Sequence, residues 1–170
     1  MNLSNNEIIL RSVELDDATF LHALINDAET ERALVGWTKP VSMHDQIEWI
    51  KNIKNEVGCV RYVISCNGIS AGMVFLTDID FKNRTAVIHI KLQENFRGKG
   101  IGAAAIKLLT EYAVRELNIN CIIANILYEN EASRKLFEKC GYVIEGVLRQ
   151  RVYKNGKYND LTSYSFIANK

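Results

Sequence analysis

The segment Arg97-Gly98-Lys99-Gly100-Ile101-Gly102 sets three glycines and two cations between a strand-like run, Ala86 to Leu92, and the strongest amphipathic stretch of the chain. Glycine at a helix start costs stability relative to alanine, so three together point to a sharp turn or to something that approaches the backbone closely. The helix that follows, about Gly98 to Leu117, carries Ile101, Ala104, Ala105, Leu108, Leu109, Tyr112 and Ala113 as one apolar stripe. A helix N-terminus offers unpaired N–H groups and the positive end of a dipole. Arg97 and Lys99 add charge at the same place, and the segment reads as a cradle for phosphate or pyrophosphate. A Walker loop is excluded, because no Gly-Lys-Ser/Thr follows at the required spacing. A dinucleotide fingerprint competes, since Gly98, Gly100 and Ala103 match G-x-G-x-x-A. That fingerprint wants an acid about 20 residues further on. Asn118 to Ile123 holds none.

The pattern changes midway along the chain. Ile8 to Leu15 reads as a strand, and Asp16 can cap a helix to Asp27 with Phe20, Leu21, Leu24 and Ile25 on one face. Ser42 can cap a second helix carrying Ile47, Trp49, Ile50 and Ile53. Val60, Tyr62 and Ile64 alternate, Asn67-Gly68 is a hairpin-type turn, and Met73 to Leu76 continues as a strand. Beyond the long helix, Asn120 to Leu127 is β-rich and Glu131 to Lys139 is a short helix stopped by Gly141. Val143 to Leu148 and Leu161 to Ile167 finish as strands around a turn at Asn155-Gly156. This succession predicts a mixed α/β sheet with helices packed on it. A single proline, Pro40, and the lack of linkers or repeats predict one domain over residues 1–170.

Charge and cysteine usage narrow the function classes. Lys plus Arg total 21 against 20 acids, for a net charge of +1, which argues against a nucleic-acid binder. No apolar run approaches the ~18 residues of a membrane span, and the polar stretch Met1 to Glu7 is unlike a signal peptide. Cys59, Cys66, Cys121 and Cys140 form no C-x-x-C, and His22, His44 and His89 are scattered, so neither a metal site nor a disulfide scaffold is expected. Reduced thiols suit a cytoplasmic address.

The glycine turn resembles the R/Q-x-x-G-x-G/A coenzyme motif of the GNAT superfamily of N-acetyltransferases. Asn130-Glu131-Ala132-Ser133-Arg134-Lys135-Leu136-Phe137-Glu138-Lys139-Cys140-Gly141-Tyr142 is similar to its second motif, N-x-x-A/S-x-x-L-Y-x-x-x-G-F. The tail, Glu145-Gly146-Val147-Leu148-Arg149 to Gly156-Lys157-Tyr158-Asn159-Asp160, resembles the subgroup with spermidine and ribosomal-protein acetyltransferases. The resemblance implies the GNAT fold, a mostly antiparallel twisted sheet of about seven strands with about four helices.

It also implies acetyl-CoA as co-substrate, no metal, and direct attack of a primary amine on the thioester. Arg97, Gly98, Lys99, Gly100, Ile101, Gly102 and Ala103 would hold the pyrophosphate. Backbone donors near Lys91, Leu92 and Gln93 would polarise the carbonyl. Asn130, Ser133 and Phe137 complete the implied coenzyme set. Two positions depart from the family pattern. Val87 stands where a glutamate base is often found, which leaves His89, two residues on and on the same face, as the nearest titratable group. Phe137 stands where a proton-donating tyrosine is often found, and a phenyl ring cannot donate. Ser133, one turn earlier, is the substitute. Cys121 and Cys140 read as packing residues, not as nucleophiles.

The implied partner is a small-molecule amine, with no nucleic acid and no membrane, and a homodimer is left open. Asp27, Glu29 and Glu31 lean toward a cationic polyamine, whereas Trp37 and Trp49 could stack on a sugar or base. Phe75-Leu76-Thr77-Asp78-Ile79-Asp80 and Ser42 to Ile50 resemble members that acetylate nucleotide-linked amino sugars. A protein N-terminus is the alternative acceptor.

Overall fold

The structure, a computed structural model, describes residues 2–5, 8–36 and 39–168. Its strands are β1 (Leu3–Ser4), β2 (Ile9–Arg11), β3 (Val60–Cys66), β4 (Ile69–Asp80), β5 (Thr85–Leu92), β6 (Cys121–Leu127), β7 (Val143–Lys154) and β8 (Lys157–Ile167). The helices are α1 (Ala18–Asn26), α2 (Ala28–Ala33), α3 (Met43–Asn52), α4 (Ile101–Arg115) and α5 (Glu131–Lys139). One sheet holds the strands in the order β1-β2-β3-β4-β5-β6-β8-β7. Among the described residues the β5–β6 pair is parallel and every other pair antiparallel. Among the described residues there are eight strands and five α-helices, close to the expected seven or so and four or so; β1 and α2 are too short for periodicity to reveal.

Helices cover both faces. On one, Ile101, Ala105, Ile106, Leu109 and Ala113 of α4 and Phe137 of α5 pack with Ala86, Ile88 and Ile122 of the sheet in the main core. On the other, Leu21 and Leu24 of α1 and Ile50 of α3 pack on Met73, with Phe75 beside them. Successive strand residues point to opposite faces, so Val87, His89 and Lys91 share the α1/α3 face. Ser42 caps α3, its hydroxyl accepting from the Asp45 N–H at 3.1 Å as expected. Leu15 to Asp17 form a 3₁₀ turn ahead of α1, so the helix begins later than the sequence suggests. No helix is long and apolar enough to cross a membrane among the described residues.

Candidate functional site

The parallel pair β5–β6 is registered over three positions only, Thr85 with Cys121, Ala86 with Ile122 and Val87 with Ile123. Beyond Val87 the strands part: β5 stays on β4 to Leu92, while β6 stays on β8 to Leu127. The result is a wedge-shaped slot with an unpaired β5 edge along one wall. Alternation decides which amides face it. The Gln93 N–H donates to the Ala71 carbonyl at 3.0 Å on the β4 side, so the neighbouring Leu92 N–H faces the slot. Of Lys91, Leu92 and Gln93, it is therefore Leu92 that offers a main-chain donor there. Gly72 lets the strands come this close, since a Cβ on it would lie 2.2 Å from the Lys91 carbonyl oxygen.

The glycine turn sits at the mouth of this slot. Gly98 and Gly100 have φ of +72° and +83°, which L side chains rarely adopt, and Gly100 is the N-cap of α4. The Ala104 N–H is bonded to the Gly100 carbonyl at 3.0 Å, whereas Ile101, Gly102 and Ala103 open the helix ahead of any i−4 acceptor. Gly102 is buried, with Leu92 and Leu136 side chains 3.2 and 3.3 Å from where its Cβ would be. The Arg97 guanidinium donates through Nε to the Leu92 carbonyl at 3.1 Å and through Nη2 to Thr30 Oγ1 at 2.9 Å. Its Nη1 makes no hydrogen bond among the described residues, and Lys99 is exposed beside it. Positive charge, open amides and glycines without a Cβ fit a pyrophosphate here.

The remaining coenzyme positions divide. The Asn130 side chain caps α5, its Oδ1 accepting from the Ser133 N–H at 3.0 Å, while its Nδ2 donates to the Ala33 carbonyl at 3.1 Å. Asn130 is thus committed to structure at both ends of its amide. The half-buried Ser133 hydroxyl makes no hydrogen bond among the described residues. Phe137 is only 3% exposed and lies edge-on to Tyr142, ring centres 5.1 Å apart, so its ring packs the core. Tyr142 is no substitute donor. Burial pushes its phenol well above the ordinary range, and its hydroxyl is bonded to Thr110 at 2.8 Å. Cys140 is buried against the Ala103 carbonyl, and burial raises both its thiol and that of Cys121.

His89 stacks on Phe75 at 4.8 Å, and its Nε2 is 2.9 Å from Thr77 Oγ1. Burial pushes its imidazole down to about 4. It is a neutral group at physiological pH and a much weaker base than its ordinary value suggests.

Two cavities flank these groups. One, of about 580 Å³, is lined by Arg97, Asn130 and Tyr128, by Glu29, Arg32 and Ala33, and by the β7–β8 hairpin from Lys154 to Asp160. The other, of about 400 Å³, lies on the α1/α3 face beneath Lys91, Phe75 and Trp49. The sequence gives no sign of Lys154. It is one of two lysines flanking the turn of the β7–β8 hairpin, yet it is buried, donating to the Leu34 carbonyl at 2.7 Å, to the Gly36 and Glu31 carbonyls and to the Glu31 carboxylate at 2.9 Å. The acids expected to attract a cation are largely taken: Glu31 by Lys154, and Asp27 as the N-cap of α2, where bonding from Thr30 lowers its carboxyl. Trp37 lies outside the described residues.

Residues 7–143 match the Acetyltransferase (GNAT) domain profile. A Bacillus subtilis protein named as a candidate ribosomal N-acetyltransferase, YdaF, is 38% identical over 171 residues, covering 96% of this chain and 92% of that one. The spermidine N-acetyltransferase of Vibrio cholerae, solved with CoA and spermine, is 27% identical with a TM-score of 0.87, each chain covered to 96%. RimL, a ribosomal L7/L12 α-N-protein acetyltransferase solved with coenzyme A, is 25% identical with a TM-score of 0.89, each chain covered to 98%. The slot between β5 and β6, the glycine turn at its mouth and these likenesses agree: the chain belongs to the GNAT acetyltransferase family.

Proposed function

We propose that the chain transfers the acetyl group of acetyl-CoA to the primary amine of a small molecule, by direct attack in a ternary complex. The observation that carries this is the parting of β5 from β6 beyond Val87, with the open amides of Ile101 to Ala103 at its mouth. Acetyl-CoA supplies an activated thioester whose acyl carbon passes to nitrogen as the C–S bond breaks. The turn from Arg97 to Ala103 holds its phosphates through main-chain N–H groups and the Arg97 and Lys99 charges. The Leu92 N–H donates to the thioester carbonyl as negative charge grows on it. Ser133 Oγ–H hydrogen-bonds the departing thiolate, which takes its proton from solvent. His89, neutral and backed by Thr77, accepts a hydrogen bond from the water that carries the amine proton away to solvent.

Likeness to a protein whose structure holds CoA and spermine supports a small amine. The name of the 38% identical relative supports the second reading, a ribosomal-protein N-terminus. Release of free CoA thiol, measured with a panel of small amines and of N-terminal peptides, tests both. Turnover with peptides and with no small amine overturns the first reading.

A further inference from the structure

The cavity of about 400 Å³ on the α1/α3 face has a lining unsuited to a polycation. Leu21, Leu24, Trp49, Met73 and Phe75 make most of its wall apolar and aromatic. Two cations face it, Lys91 from β5 and Arg61 from β3. Trp49 and Arg61 are fixed by one carboxylate: Glu56 accepts from Trp49 Nε1 at 2.9 Å and from Arg61 Nε at 2.6 Å. The Arg61 guanidinium is thereby held 4.8 Å from the Phe75 ring centre, and Glu56 balances its charge. Among the described residues no acid balances Lys91. Its ammonium makes no hydrogen bond or ion pair among the described residues, and burial, then Arg61, lowers its basicity. Asp45, the acid on the rim, is exposed and accepts from the Ser42 hydroxyl at 2.7 Å.

Gln46 points the same way by a different route. It is only 5% exposed, lines this cavity, and its side-chain amide makes no hydrogen bond among the described residues. Its amide atoms are not among the fully enclosed unpartnered side-chain atoms, so they open onto the cavity and are free to bond a polar group of the occupant. The cavity is also continuous with the reaction site through one strand. Lys91 presents its side chain here, while the next residue, Leu92, presents its N–H to the slot.

We propose that this cavity binds the body of the acceptor, and that the acceptor is a primary amine with a flat apolar body carrying an anion, a carboxylate or a phosphate, that pairs with Lys91. This deepens the acetyltransferase reading and rests on it. The flat body lies against Trp49 and Phe75, the anion takes the Lys91 ammonium and free Arg61 donors, and Gln46 hydrogen-bonds a polar substituent. A polyamine would bring further positive charge to an uncompensated lysine.

Calorimetric titration of the CoA-saturated protein with four matched amines tests this. Tyramine is the neutral-bodied reference, tyrosine carries a carboxylate, tyramine phosphate carries a phosphate, and spermidine is the polycation. At least one anionic amine should bind about tenfold more tightly than tyramine, and which one does so identifies the anion. Lys91→Met should erase that preference and Lys91→Arg should retain most of it. The proposal is overturned if tyramine or spermidine binds tighter than both anions, if neither anion binds at about 10 mM, or if K91M keeps the preference. Titration with CoA alone is the separate arm: failure there removes the acetyltransferase reading itself, and success confines any failure to the acceptor.

Discussion

Arg97 Nη2 donates to Thr30 Oγ1 at 2.9 Å, joining the glycine turn to α2 across 67 residues of chain. The same guanidinium holds the Leu92 carbonyl at the end of β5. One side chain thus fixes the turn, the slot wall and the helix over the slot relative to one another. Arg97→Ala should raise the dissociation constant for acetyl-CoA at least tenfold, since a charge-assisted contact contributes about 1.5–3 kcal/mol. Calorimetry measures this directly; an unchanged constant would place the coenzyme elsewhere.

Gly100 and Gly102 should respond differently to alanine. At Gly100 the added Cβ meets no atom within 4 Å, and the penalty is the φ of +83°. Gly100→Ala should cost about 1 kcal/mol and lower the melting temperature by about 2–4 °C. Gly102 has ordinary helical backbone, and its Cβ would press on flexible Leu92 and Leu136 methyls. Gly102→Ala should change stability less, while weakening coenzyme binding by shifting Leu92. Thermal melts with and without acetyl-CoA separate the two effects.

His89 predicts a stability profile with a definite direction. Its folded value, about 4, lies below the ordinary 6.5, so between them the unfolded chain binds the proton first. The contribution is complete above about 6.5 and is lost as pH falls toward 4, amounting to at most about 3 kcal/mol. Urea unfolding from pH 4 to 7 should show this slope in the parent protein. A His89→Gln variant with the same slope would refute it.

Ser133→Ala tests the proposed donor to sulfur. Its main-chain N–H, which holds the Asn130 cap, is retained in the variant. Folding should therefore be unaffected, and kcat should fall about tenfold to a hundredfold while acetyl-CoA affinity stays within about threefold. A fall in affinity with no change in kcat would make Ser133 a binding group only.

Lys154→Met removes the ammonium that gathers the carbonyls of Glu31, Leu34 and Gly36. Loss of such a buried ion should cost about 3 kcal/mol and leave Glu31 unpaired. The expected signature is a lower melting temperature and a raised KM for the amine, with coenzyme affinity largely retained. Equal loss of both affinities would show that Lys154 supports the whole sheet and not the segment after α2.

The sequence by itself determined the features that are local. The bounds of α5, Glu131–Lys139, the Ser42 and Asn130 caps and the Asn155-Gly156 turn all follow from contacts within a few residues. The glycine turn belongs with them, because positive φ and free helix-start amides are properties of that short segment. Other features rest on partners distant in sequence, and only the tertiary structure decided them. The direction of the Leu92 N–H depends on Gln93 bonding to Ala71, and the fate of Asp27 and Glu31 depends on Thr30 and Lys154. Phe137 could have faced the slot or the core, and packing against Tyr142 put it in the core. His89 keeps its ordinary basicity in an unfolded chain and loses it once burial strips its water. Lys91, Arg61 and Gln46 lie on three separate elements, and no spacing in the chain announces that they meet. Local hydrogen bonds and backbone angles can be written into a short stretch of residues; burial and convergence require the whole sheet to close.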